Sequence, residues 1–163
     1  MTMTRPPAGP LAAVRLDRPW LERHMPHRGR MCLLEAVLGW DMTQIRCRAS
    51  SHRQADNPLR ARGCLPAACG IEYAGQAMAA HGALMAGLLG VPARTGYLAS
   101  VRHLRLRVTR LDDLTEDLII SAQRVADDQD TALYAFTITS AEQELLTGRA
   151  GIVFGALARA DRP

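Results

Sequence analysis

The spacing of apolar residues predicts strands on both sides of one long helix. Residues 43–50 alternate apolar side chains with polar ones, and this period of two is typical of a strand with one face in the core and one in water. An apolar run at 30–41 predicts a strand just before it. After the helix, strand-like runs separated by polar hairpin turns occupy 103–110, 117–126, 131–140 and 144–155.

The period changes after Pro66, where apolar residues begin to recur at steps of three and four. This pattern predicts a helix of about 24 residues. Gly90 and Pro92 are typical residues for its end. Because the helix is rich in alanine and glycine, we expect a curved sheet to cover most of its sides, which gives an α+β fold. The residues that recur at these steps form one stripe along the predicted helix: Ile71, Ala74, Met78, His81, Met85 and Leu88.

Length and composition indicate a single globular domain. The chain has 163 residues, of which 48% are hydrophobic and 22% charged, as in ordinary globular proteins. The longest apolar stretch, 65–91, is interrupted by polar residues, so no membrane span is predicted. Residues 1–14 contain too short an apolar run for a secretory signal and are interpreted as a flexible lead-in to a domain at 15–158. We expect a cytoplasmic protein.

Charge and cysteine content narrow the possible partners. The net charge of +4 is compatible with nucleic acid, anionic lipid or an acidic protein as a partner. An aromatic content of 4% leaves few side chains for stacking bases, so no nucleic-acid binding is predicted. The four cysteines lack paired metal-ligand spacing, and we expect free thiols, no metal site and no cofactor. They are Cys32, Cys47, Cys64 and Cys69.

Glu72 is the main candidate for chemistry because it lies near the start of the apolar helix. Burial would raise the pKa of its carboxyl and suit it to proton transfer near neutral pH. The alternative is a structural role, either as a carboxylate in a polar network or paired with an arginine such as Arg60 or Arg62. Gln76, one turn later, points the same way, whereas His81 lies on the opposite face and is interpreted as a core or interface residue.

Two separated motifs resemble the hotdog-fold 3-hydroxyacyl-[acyl carrier protein] dehydratases. The first is MPHRGRMCLLEAVLGWD at 25–41, where Pro-His-Arg precedes an apolar run. The second is LPAACGIEYAGQAMA at 65–79, where a proline is followed six residues later by glutamate. The segment DNPLRARGCLPAACGIEY at 56–73 is most similar to the sequences of the branch encoded with aryl polyene biosynthesis genes. The resemblance covers about residues 20–155.

The resemblance implies a helix wrapped by an antiparallel sheet and active sites at the interface of a homodimer or heterodimer. It implies removal of water from a 3-hydroxyacyl thioester on acyl carrier protein, giving the trans-2-enoyl thioester in fatty acid or aryl polyene synthesis. Glu72 would protonate the leaving hydroxyl, and Gln76 would orient Glu72. The residues implied for substrate binding are Asn57, Pro58, Ala67, Ala68 and Gly70.

The chain departs from the family pattern at the catalytic histidine. That histidine lies fourteen residues before the glutamate in the family, and Pro58 holds this position here. His27 is our first candidate for a substitute, and His52 is the second.

Three functions follow as hypotheses: a dehydratase, a thioesterase whose carboxylate activates water, and a non-catalytic subunit that pairs with an active relative. The missing histidine favours the non-catalytic subunit, whereas the two motifs favour the dehydratase. Release of free thiol would identify the second.

Overall fold

A seven-stranded antiparallel sheet wraps around one long helix in the computed structural model, which describes residues 15–155. The lead-in predicted at 1–14 and the domain end predicted at 156–158 lie outside the described residues. In chain order the elements are β1 (Leu16–Asp17), α1 (Arg18–His24), β2 (Ala36–Trp40), β3 (Gln44–Ala49), α2 (Gly70–Leu89), β4 (Gly96–Leu106), β5 (Leu118–Asp127), β6 (Thr131–Ser140) and β7 (Gln143–Phe154).

Sheet order confirms the α+β prediction. The strands lie in the order β1-β2-β3-β5-β6-β7-β4, and every neighbouring pair is antiparallel. A two-residue turn joins β6 to β7, and its residues Ala141 and Glu142 have φ angles of 47° and 64°. Positive φ at both central positions is the geometry whose twist matches a tight hairpin. The polar segment after β6 therefore forms the turn that its sequence predicts.

Helix α2 is the centre of the core and agrees with its predicted extent. A 3₁₀ turn at Ala67–Cys69 leads into it, and Gly90 ends it with φ of 66°. The helix packs against β3, β5 and β6. Within the described residues, no helix combines the length and apolar character needed to cross a membrane. Four members of the predicted stripe are buried, while Ile71 is half-buried and Leu88 is exposed.

The strand predicted over 30–41 is shorter in the structure. Its first part is a 3₁₀ turn, Gly29–Met31, and pairing begins only at Ala36. The backbone between them is satisfied by a side chain instead of a neighbouring strand: Leu33 N–H donates to Gln76 Oε1, and Gln76 Nε2 donates to Met31 O. The side chain of Gln76 thus replaces the backbone hydrogen bonds to a neighbouring strand that the apolar run alone would predict.

The strand predicted at 103–110 is also wrong in its bounds. Strand β4 begins at Gly96, ends at Leu106 and pairs with β7 at the edge of the sheet. A bulge between Arg102 and Arg105 breaks the alternation, and His103 within it has φ of 52°. At this edge of the sheet, Leu104 and Leu106 are exposed.

Gly70→Ala is expected to destabilise the fold by about 1–2 kcal/mol, because overpacking a core exceeds the gain in helix propensity. A Cβ at Gly70 would lie 2.8 Å from the methyl carbons of Leu146. Gly87 provides the matched control, since a Cβ there meets nothing within 4 Å. Gly87→Ala should therefore stabilise the helix by about 0.5–1 kcal/mol. Urea unfolding measures both, and equal signs would contradict this account.

Candidate active site

Glu72 and His27 meet at the start of α2. Glu72 lies in the first turn of the helix, and its Oε1 is 3.3 Å from His27 Nε2. His27 comes from the loop between α1 and β2, where it follows Pro26. The side chain of Glu72 is 39% exposed and that of His27 is 25% exposed, so both are accessible to a small molecule. The two motifs that are separated in sequence thus bring two titratable side chains into contact.

Gln76 holds this pair in place from one turn along the helix. It is fully buried, and its Oε1 accepts a hydrogen bond of 2.8 Å from Leu33 N–H. Its Nε2 donates to Met31 O at 2.7 Å and to Glu72 Oε1 at 3.2 Å. One orientation of the amide satisfies all three contacts, because a carbonyl and a carboxylate only accept. Gln76 therefore fixes the Glu72 carboxylate relative to the His27 loop.

The pKa of Glu72 is lowered, whereas the sequence led us to expect a raised value. Interaction with the neighbouring His27 imidazole is the main cause. Partial burial acts in the opposite direction, and the amide of Gln76 adds to the lowering. Glu72 contacts His27 and Gln76, which agrees with the predicted alternative of a polar network. Arg60 pairs with Asp112 instead, so the predicted arginine partner is wrong. Glu72 is a carboxylate at neutral pH.

Acid is expected to remove a stabilising contribution of Glu72. Its folded-state pKa lies below the ordinary 4.5, so the ionised form stabilises the fold above that pH, and this contribution is lost as pH falls through the folded-state pKa. Urea unfolding at several pH values measures the effect. The wild type should lose more stability on acidification than Glu72→Gln, while the exposed control Glu116→Gln should follow the wild type. Parallel curves for all three proteins would contradict the assignment.

A cavity of about 390 Å³ extends from this pair along α2. Its helix wall carries small side chains, and the opposite wall comes from the loop before β4, the start of β4, the first part of β6 and the end of β7. Apart from the histidines, Glu72 and Arg94, few lining side chains are polar. The shape suits an extended apolar ligand with its reacting group beside Glu72. The helix residues that line it are Glu72, Gly75, Met78, Ala79, Gly82 and Ala83.

His24 also lines the cavity, and the sequence analysis did not identify it. It lies in the last turn of α1, stacks on Trp20 and has Nδ1 2.8 Å from Trp20 O. A carbonyl only accepts, so Nδ1 carries the proton, and in the neutral ring Nε2 is left as an acceptor. Asp17 caps α1 and Pro19 lies in its first turn. This combination typically starts a helix and was a usable signal.

Asn57 and Pro58 lie away from this cavity. Asn57 is buried, and its Nδ2 donates to Ser51 O at 2.9 Å and to the Tyr73 hydroxyl at 3.0 Å. Pro58 is exposed. Neither residue lines the cavity. The structure gives Asn57 a role in holding the loop before α2, and its predicted contact with substrate stays a prediction.

Two of the three predicted binding residues at the start of the helix are buried. Ala67 is buried and donates its N–H to Thr109 O at 3.0 Å. Gly70 is a glycine because β7 lies against it, as Leu146 shows. Ala68 is exposed. None of these three residues lines the cavity, so of the predicted binding residues only Ala68 offers an accessible position at the start of the helix.

The other histidines considered do not join the pair. His52 is fully buried in a 3₁₀ turn and does not line the cavity. His81 is buried on the far side of α2, where Nδ1 contacts the Tyr134 hydroxyl and Nε2 contacts Asp41 O, both at 2.9 Å. Its predicted orientation away from Glu72 agrees with the structure. Among the described residues, no group of three or more His, Cys, Asp or Glu is arranged to hold a metal ion.

Solved structures establish the fold. A chain of the dehydratase heterocomplex ApeI:P from Xenorhabdus doucetiae matches with a TM-score of 0.75 and 22% identity over 85% of this chain and 92% of that chain. The PaaI protein from the phenylacetic acid degradation operon of E. coli matches with a TM-score of 0.54 and 13% identity over 72% and 80% of the two chains. A mutant of thioesterase PA1618 from Pseudomonas aeruginosa matches with a TM-score of 0.51 and 12% identity over 74% of this chain and 80% of that chain.

Family membership rests on a separate match. A search of curated proteins finds no match. The family model described as ApeP-like, ApeP dehydratase, matches residues 19–156, which is most of the chain and includes both motifs of the site. The part of this range that the structure describes, residues 19–155, forms the long helix and most of the antiparallel sheet of the hotdog fold. The chain therefore belongs to the ApeP-like dehydratase family.

Proposed function

We propose that this protein dehydrates a 3-hydroxyacyl thioester carried by acyl carrier protein, giving the trans-2-enoyl thioester in fatty acid or aryl polyene synthesis. The observation that carries the proposal is the pairing of Glu72 with His27 at the end of an elongated, mostly apolar cavity. Such a site brings proton-transfer groups to one end of an acyl chain. Membership of a dehydratase family supports this choice of reaction over hydrolysis.

The lowered pKa of Glu72 suggests the order of the proton transfers. As a carboxylate, Glu72 takes the proton from C2 of the substrate, and the electrons of that C–H bond form the C2–C3 double bond as the C3–O bond breaks. Glu72 then gives the proton to the departing hydroxyl, which leaves as water. Gln76 and His27 orient the carboxylate through both steps. One carboxylate that performs both transfers needs no histidine at the position of Pro58.

The start of α2 is assigned to the thioester carbonyl. Charge builds on that oxygen when the C2 proton is removed, and a backbone N–H near a helix start stabilises it. Ala67 N–H is already bonded to Thr109 O, and Cys69 N–H is bonded to Pro66 O. Ala68 lies between them and is exposed. We therefore assign its N–H to the carbonyl.

A second hotdog subunit, identical or different, is proposed to pair with β4. This strand has eleven residues, and its pairing within the described chain is with β7, on one side. A long exposed edge strand is a template for a strand of another chain. Leu98, Leu104 and Leu106 add exposed apolar surface. The ApeI:P structure is a heterocomplex, which supports a different partner here.

Mass spectrometry of 3-hydroxyacyl-[acyl carrier protein] incubated with the purified protein tests the function. A dehydratase lowers the mass of the acyl carrier protein by one water molecule. Release of free thiol would instead indicate a thioesterase. An unchanged substrate would contradict activity of this chain alone and favour the non-catalytic subunit. Native mass spectrometry of the same sample distinguishes a monomer from a homodimer.

A further inference from the structure

The cavity has a definite length because α2 forms one of its walls. From Glu72 to Ala83 the helix advances about 16 Å at its usual rise. Between these residues the wall is lined by Gly75, Ala79 and Gly82, with Met78 beside them. Small side chains leave room for a chain to lie along the helix. An acyl group that reacts beside Glu72 therefore extends toward the C-terminal half of α2.

Arg94 lines the cavity from the loop between the C-terminal end of α2 and β4, on the side away from Glu72 along the helix. Its guanidinium carbon lies 3.9 Å from the centre of the Phe154 ring, and its Nη1 donates to Gln129 O at 2.5 Å. Both Arg94 and Phe154 line the cavity. The first contact ties the loop before β4 to the end of β7, and the second ties it to the turn between β5 and β6. These two contacts hold the Arg94 side chain in place beside the cavity although it is exposed.

We propose that Arg94, stacked on Phe154, sets the maximum length of the acyl chain that this site binds. The inference rests on the proposed function and adds the residue that limits its substrates. An extended chain advances about 1.2 Å per bond, so 16 Å admits about 13 bonds. A longer apolar chain meets the guanidinium, which loses hydration and its contacts if displaced. The affinity for the acyl chain should therefore stop rising with chain length at about 13 bonds.

Removing the arginine should extend the accepted chain. Each buried methylene contributes about 0.8 kcal/mol, which is about a fourfold change in affinity. In the wild type we expect this gain per methylene up to about 13 bonds and none beyond. In Arg94→Ala the gain should continue for several further methylenes. Arg46→Ala is the matched control, because Arg46 is exposed on β3 and does not line the cavity.

Filling the helix wall should shorten the accepted chain. A Cβ at Gly82 meets nothing within 4 Å, so the backbone there has room for a side chain that starts on the cavity wall. Helical side chains lean toward the N-terminus. Gly82→Leu should therefore close about one turn of the cavity, which corresponds to about four bonds. Gly87→Leu is the control: this position is equally open and does not line the cavity.

Calorimetric titration with pantetheine thioethers bearing straight alkyl chains of about 6 to about 18 carbons tests the inference, in a range chosen to span the cavity. These probes cannot be dehydrated or hydrolysed, so their binding is independent of the reaction. A limit that lengthens in Arg94→Ala and shortens in Gly82→Leu, with both controls as wild type, is the expected result. An unchanged limit in Arg94→Ala, no limit in the wild type, or no binding would overturn the inference. Length-limited binding without water loss from 3-hydroxyacyl-[acyl carrier protein] would contradict the proposed function alone.

Discussion

Glu72→Gln is expected to lower kcat/KM for dehydration by about 100- to 10,000-fold, the range that a positioned acid–base group contributes. The amide keeps the size of the carboxylate and retains hydrogen-bonding capacity toward His27 and Gln76. It cannot accept the C2 proton at neutral pH, and it has no proton to give to the leaving hydroxyl. The loss should therefore fall on kcat with little change in the binding of thioether probes.

Kinetics of enoyl thioester formation on 3-hydroxyacyl-[acyl carrier protein] measure this effect. Glu116→Gln, which removes an exposed carboxylate outside the cavity, is the matched control and should keep wild-type kcat/KM. His27→Gln should retain more activity than Glu72→Gln, since His27 acts by orienting Glu72. Wild-type turnover by Glu72→Gln would contradict the assigned chemistry. A greater loss in His27→Gln than in Glu72→Gln would instead make His27 the proton-transfer group.

Local periodicity predicted the helix and the part of the site that lies on it. The 3.6-residue repeat is a property of neighbouring positions, so the shared direction of Glu72 and Gln76 follows from their spacing. The opposite orientation of His81 follows in the same way. The hydrogen bond of 3.2 Å between Gln76 and Glu72 agrees with this expectation.

Contacts between distant segments needed more than periodicity. His27 lies in a loop, and its approach to Glu72 was predicted only through the family resemblance. The predicted shift in the pKa of Glu72 was wrong in sign, because the actual shift depends on how close His27 lies. Burial alone raises the pKa of a carboxyl, whereas a nearby imidazole lowers it, and the balance depends on a distance that the sequence does not contain.

Strand β4 shows a different limit of the sequence pattern. Its leucines and arginines alternate as in a strand with one buried face, yet Leu104 and Leu106 are exposed. The pattern contains no information about strand order, and the edge position of β4 decides its burial. If a second subunit covers this edge, the apolar residues become an interface, which reconciles their pattern with their exposure.

Gln76→Ala is expected to destabilise the fold by roughly 2–4 kcal/mol, the sum of a lost buried side chain and an unsatisfied N–H. Gln76 is fully buried, and its Oε1 is the acceptor for the backbone N–H of Leu33, which is buried too. Truncation leaves that donor in an apolar setting, whereas Met31 O lies in an exposed residue and regains water. The cost therefore arises mainly at Leu33.

Thermal unfolding measures this cost, and a fall in Tm of roughly 4–16 °C is expected for a domain of this size. Gln143→Ala, at an exposed position at the start of β7, is the control and should change Tm little. Gln76→Glu separates the two roles of the side chain: its carboxylate still accepts from Leu33 N–H but no longer donates to Glu72 and repels it. If Gln76→Ala melted with the wild type, the loop that carries His27 would be held by other contacts, and the position of His27 beside Glu72 would not depend on Gln76.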